Sequence, residues 1–136
     1  PTQRDLEDLK KETGIWQRAS LKSLEHDRLK IGDIWLVDLS DAKGHEQRGD
    51  RPAIVVGSAN GMIIVVPCTT TLSTARFSHT FPLTPTPGNG LNEESIALVF
   101  QIVALDRTRF RHQIGIITEH QRCAIVALMR DLLKLD

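Results

Sequence analysis

Arg51, Thr69, Thr70, His45 and Glu46 are the side chains of this sequence best suited to chemistry on a tetrahedral anion. An arginine stays protonated far above neutral pH and grips two oxygens in a planar fork, so it stabilises developing negative charge and makes a poor general base. A threonine hydroxyl adds a neutral donor, and one preorganised donor aimed at such a centre is worth on the order of 3 kcal/mol. Proton transfer would fall to His45, which titrates near neutrality, or to Glu46, whose carboxyl would need burial to raise it. The residue types do not order those two.

A hairpin brings these groups together. Asn60-Gly61 separates two apolar runs, 53–58 and 62–67, and is the signature of a two-residue type I′ turn. Counting back from Ala59 facing Met62 sets Arg51 opposite Thr70 and beside Thr69. Pro67 lies inside the second run, where proline often marks a bulge or an edge, and a bulge shifts the register by one residue. Which threonine shares the face of Arg51 is therefore open. The polar, glycine-punctuated stretch from Ser40 to Asp50 exceeds the roughly 2–5 residues of an ordinary hairpin loop. It feeds directly into Arg51 and carries His45, Glu46 and Gln47 towards the same rim. Plainer readings exist for each residue: Arg51 as an ion pair with Asp50 or Glu46, the threonines as β-branched strand residues. Their convergence on one rim favours a site.

Around this cluster the sequence lacks the louder signatures. It contains no phosphate-binding glycine loop, no dinucleotide fingerprint, no zinc-protease helix and no nucleophile elbow. Cys68 and Cys123 fit neither a disulfide framework nor a metal-ligand spacing and read as buried or idle thiols. The site is expected to work without metal or cofactor. His79, on an expected strand, and His112 and His120, near the last helix, have no evident partners and read as structural.

The elements that must hold the cluster form one domain, since the chain has 136 residues with 40% hydrophobic and 25% charged positions. Seventeen basic and seventeen acidic residues cancel, so any polyanion site must be a local patch. No apolar run approaches the roughly 20 residues of a membrane span, and a cytoplasmic location is expected. Residues 1–30 read as a charged arm of two short amphipathic helices, and 31–136 as the functional domain. Strands are expected at 33–39, 53–58, 62–67, 77–83 and 95–105, the last two separated by Pro85, Pro87, Gly88, Asn89 and Gly90. Thr118 and Gln121 fit a capping box opening a helix over 119–133, with Ile125, Leu128, Met129 and Leu132 inward.

Four segments, GDIWLVDL (32–39), GHEQRGDRPAIVV (44–56), IIVVPCTT (63–70) and SIALVFQIVALD (95–106), resemble the MazF/PemK/Kid toxins in order and spacing from Gly32 to the C-terminus. The motif G-x-E-Q-x-G-x-R-P is specific. The resemblance implies a mainly β fold, a small SH3-like barrel with a C-terminal helix, to which the N-terminal helical arm is appended. It further implies a homodimeric, metal-independent endoribonuclease that cuts single-stranded RNA by 2′-hydroxyl attack, is restrained by a cognate antitoxin, and binds DNA together with it. Arg51 and Thr69 match the family's catalytic arginine and threonine, Glu46 its loop glutamate, and His45 a histidine of some members. Gln47, Thr70, Arg76 and Gln101 are the expected substrate contacts, and the loops 71–77 and 84–92 the expected readers of base edges. Two positions depart from the pattern: Phe100 stands where many members have an acid before the glutamine, and Val103 where a basic residue often follows. The rival reading is a non-catalytic module of the same architecture that binds RNA or protein, like the topoisomerase-directed CcdB toxins.

Overall fold

In a computed structural model of the chain, residues 29–40 and 49–135 are described. The expected arm over 1–28 and the loop residues His45, Glu46 and Gln47 lie outside the described residues.

Asn60 and Gly61 both take positive φ, 55° and 81°, as a type I′ turn requires. The hairpin they close consists of β2 (Asp50–Ala59) and β3 (Met62–Thr69), each longer than its apolar run. β1 (Asp33–Asp38) pairs antiparallel with β2, and β7 (Phe110–Ile116) pairs with the other edge of β1. On the far side of β3 lie β5 (Ser95–Leu98) and β6 (Val103–Asp106), and β4 (Thr80–Leu83) pairs with β5. The sheet order is β4-β5-β3-β2-β1-β7, with β6 also on β3. A single α-helix among the described residues, α1 (Glu119–Leu133), follows β7.

Two expected strands are corrected, and a third strand, β7, was not expected. The strand expected over 77–83 begins only at Thr80, because residues Leu72–Arg76 form a 3-10 turn and the chain then bends through His79, at φ 58°. The strand expected over 95–105 is two strands, split by a 3-10 turn at Val99–Gln101. That turn bridges the gap between two ladders on β3: β5 pairs with Cys68 and Thr69, and β6 with Met62 to Val65. Pro67, which has no N–H to give, stands at the break. β7 was hidden because its central Arg111, His112 and Gln113 are all exposed, leaving no alternation to detect.

The middle strands are buried on both faces. Ile34, Ile54 and Val66 belong to one apolar cluster, while Trp35, Val37, Ala53, Val55 and Val65 belong to a second. Side chains of a strand alternate between faces, so near-continuous apolar runs are what two cores demand. Ile125 of α1 is buried in the first cluster, and Leu128, Met129 and Leu132 pack against it as expected. The second cluster is closed partly by Leu29, Val103 and Leu105, with Trp35 and Phe110 edge-to-face at 6.0 Å.

β4 and β7 end the sheet without pairing to each other. The seam is closed by the connection 84–92: the Ile116 N–H donates to the Gly88 carbonyl at 3.0 Å, and Gly90 and Gly115 let backbone meet backbone. The result is an open, barrel-like antiparallel sheet with a C-terminal helix.

Candidate active site

The register of the central hairpin decides which side chains meet. From Ala59↔Met62 to Gly57↔Ile64 it follows the simple count, but the next pair is Val55↔Val65. Val56 is thus the extra residue of a β-bulge, and Ile54↔Val66 and Ala53↔Pro67 follow in the shifted register. The paired residues end at Ala53↔Pro67; continued by two residues, the shifted register puts Arg51 opposite Thr69, where the unbulged count gives Thr70. The bulge sits at Val56, not at Pro67. Residues directly opposite share a face, so Arg51 and Thr69 lie on one side of the sheet.

Thr69 is 3% exposed, whereas Thr70 is exposed and Arg51 half-buried. The Thr69 hydroxyl oxygen accepts the Thr71 N–H at 3.1 Å. Its own proton is left to donate elsewhere, which is the polarity a phosphoryl-binding hydroxyl needs.

Beside Arg51 the loop neck carries a charge conflict. Asp38 and Asp50 are directly opposed in the β1–β2 ladder, a placement that is destabilising between like charges. Arg111 of β7 lies between them, its guanidinium 3.0 Å from Asp38 and 3.7 Å from Asp50, with Arg109 3.7 Å from Asp38. Hydrogen bonds from Ser40, and then the charges of Arg111 and Arg109, hold the Asp38 carboxyl below its usual range. The sequence reading missed this clamp; the basic run at 107–111 was its one signal.

The rim beyond Thr69 forms a cleft of about 370 Å³. Arg76 and Gln101, both expected as substrate contacts, line it together with Thr71, Ser73, Phe77 and Phe100. The two phenylalanines were not expected there. Their ring centroids are 5.9 Å apart and inclined at 63°, and the Arg76 guanidinium lies 4.9 Å from the centre of the Phe77 ring. Val103, the other departure from the family pattern, packs against the second apolar cluster.

The remaining polar groups sort differently from expectation. His79 is not on a strand and does have a partner: its Nε2 is 2.7 Å from Asp131 of α1, and its Nδ1 3.0 Å from the Ser78 hydroxyl. That bond is the main reason the Asp131 carboxyl is held below its usual range. His112 and His120 are exposed. Cys68 is buried, which pushes its thiol up to about 12, and Cys123 is exposed. A recess near the C-terminal end of α1, lined by Ala127, Arg130, Asp131 and Lys134, contains none of the expected site residues. Among the described residues no three His, Cys, Asp or Glu side chains converge, and no helix is long and apolar enough to cross a membrane.

The family described as PemK-like, MazF-like toxins of type II toxin-antitoxin systems matches residues 30–133. Endoribonuclease MazF of Staphylococcus epidermidis is 27% identical over 96 residues, covering 67% of this chain and 79% of that protein. Endoribonuclease PemK of Escherichia coli is 38% identical over 73 residues, 50% of this chain and 53% of that protein. The crystal structure of MazF from Deinococcus radiodurans superposes with a TM-score of 0.65, covering 79% of this chain and 97% of that one. At 22% identity the last comparison speaks for the fold alone.

Proposed function

Since the chain belongs to the PemK-like, MazF-like toxin family of type II toxin-antitoxin systems, we propose that it is an endoribonuclease toxin cutting single-stranded RNA, with Arg51 and Thr69 as its charge-stabilising pair. What supports the assignment is the shifted register of β2 and β3, paired as far as Ala53↔Pro67, which continued by two residues puts Arg51 opposite Thr69, and the Thr69 hydroxyl, which accepts the Thr71 N–H and has no acceptor among the described residues.

The proposed reaction starts from the substrate's 2′-hydroxyl, already tethered beside the phosphorus and therefore present at a high effective concentration. A base removes its proton, the 2′-oxygen bonds to phosphorus, and the 5′-oxygen leaves with a proton supplied by an acid. The products are a 2′,3′-cyclic phosphate and a 5′-hydroxyl, and no metal-bound hydroxide is required. Arg51 holds two non-bridging oxygens as charge accumulates, and Thr69 donates to the same group. His45 and Glu46 are assigned the two proton transfers, and Gln47, Thr70, Arg76 and Gln101 contacts to the RNA. We further assign to this protein a cognate antitoxin, a homodimeric state, action in the cytoplasm, and an N-terminal arm over 1–30 appended to the domain 31–136.

The test is a labelled single-stranded RNA incubated with the purified chain in EDTA. Shortened products with cyclic-phosphate ends are expected, and a single 2′-deoxy sugar at the scissile position should bind yet resist cleavage. Arg51→Lys should lose roughly 100-fold or more, nearly as much as Arg51→Ala, because the planar fork is gone. Thr69→Ser should keep most of the rate and Thr69→Val should not. RNA that is bound and never cut would convert the protein into a binding module, and cleavage only with added Mg²⁺ would replace the mechanism.

A further inference from the structure

Four Phe and two Trp are the only aromatic residues of the whole sequence. Among the described ones, Trp35 and Phe110 are buried and Phe81 packs against the first apolar cluster. Phe77 and Phe100 instead stand 46% and 38% exposed, edge-to-face, on the wall of the cleft beside Thr69. Two adjacent exposed rings in so aromatic-poor a chain are surface that the fold itself does not use. We propose that this cleft seats one unpaired nucleobase of the RNA, stacked against the Phe77–Phe100 pair next to the scissile phosphate, and that it prefers a purine.

The lining argues for a base attached to an anionic backbone. Among the described residues no acidic side chain lines the cleft, and none pairs with Arg76, which lies over Phe77. A guanidinium so placed can meet a phosphate or extend the stack. The Gln101 amide and the Ser73 hydroxyl also lack hydrogen-bond partners among the described residues, and they are of the type that meets base edges. The main chain beneath both rings is held in advance, the Phe100 N–H donating to the His79 carbonyl at 3.2 Å and the Phe77 N–H to the Thr74 carbonyl at 3.0 Å, and the rings contact each other. Little ordering then remains to be done on binding. Thr71 joins cleft and chemistry, lining the one while its N–H bonds the Thr69 hydroxyl. Two inclined rings match one flat partner, which lies parallel to one ring with its edge towards the other. Such a seat reads π-surface more than a hydrogen-bond code, and a purine offers more of it.

This inference rests on the endoribonuclease reading, and the test separates the two. The full chain and its Phe100→Ala and Phe100→Leu variants are given RNA oligomers cut at one site, intact or with an abasic sugar at successive positions. Circular dichroism verifies folding, and the leucine variant keeps an apolar contact with Phe77 while removing the ring. At one position flanking the cut, the abasic sugar and Phe100→Ala should each slow cleavage by about tenfold, and the combination should lose no more than either alone. A pyrimidine there should be cut more slowly than a purine. Additive losses at every position, or an unchanged rate in folded Phe100→Ala and Phe100→Leu, would overturn the proposal, including in favour of a protein ligand for the cleft. If the unmodified chain cuts no RNA at all, the endoribonuclease reading fails on its own. The cleft is then judged by 2-aminopurine fluorescence: quenching lost in Phe100→Leu upholds the base seat, and quenching indifferent to Phe100 ends it.

Discussion

Residues 71–77 and 84–92 look alike in sequence: both are short, polar stretches between strands, and both are expected to line an RNA groove. The fold puts them to opposite uses. The connection 84–92 is wound around Asn89, only 2% exposed, whose side-chain oxygen accepts the N–H groups of Thr86 and Leu91, each at 3.0 Å, while its amide donates to the Thr84 carbonyl at 2.9 Å. It is the plug that closes the seam the strands leave open. The 3-10 turn in 71–77 buries no residue and leaves Leu72, Arg76 and Phe77 outside. A loop that substitutes for strand pairing has its conformation dictated by the core, and a loop the core does not need is free to be shaped by a ligand.

The contrast is broken first at its tightest point. Gly90 has φ 67°, and a Cβ there would overlap the Ile114 carbonyl of β7. Gly90→Ala should cost on the order of 3–5 kcal/mol in a denaturant melt; an unchanged midpoint would show that the seam is loose. Asn89→Ala comes next, at about 2–3 kcal/mol, because it leaves two N–H groups and a carbonyl without their partner. A smaller effect belongs to the tie at the foot of the other segment, where His79 meets Asp131. The Asp131 carboxyl is depressed, so its contribution is present above pH about 4 and is lost as the pH falls through its lowered value. Asp131→Asn should therefore lower stability in mildly acidic and neutral buffer, and the difference from the unmodified chain should vanish at the acid end of a pH-melt series. Least of all, Leu72→Ala should move the melt by less than about 0.5 kcal/mol. A larger shift would place 71–77 in the core and dissolve the comparison.

Where local chemistry is decisive, the sequence was readable. Thr118 and Gln121 form the capping box, with the Gln121 N–H on the threonine hydroxyl at 3.1 Å and the Thr118 N–H on the glutamine at 2.9 Å, and α1 runs over Glu119–Leu133 as expected. Asn60-Gly61 announced its turn because only that backbone conformation fits its residues. The 3-10 turn at Val99–Gln101 stayed hidden because its apolar residues continue the pattern of β5, and only the break on β3 beside Pro67 makes a turn there necessary. The clamp of Arg111 on Asp38 spans 73 residues, a separation across which no local pattern extends.

The sequence by itself determined the turn and cap chemistry, the two-faced burial of the middle strands, and the supply of an arginine and threonines near one hairpin's open end. These follow from preferences of a few neighbouring residues. Tertiary structure alone decided that the register towards the hairpin's open end runs to Thr69 and not Thr70 as Arg51's counterpart, because one bulge residue in a uniformly apolar run, Val56, moves every later pair by one position. A side-chain period of two turns that single step into the opposite face. It likewise decided that Phe77 and Phe100, far apart in the chain, form one wall, since which apolar side chains are left over depends on how the rest of the core is filled.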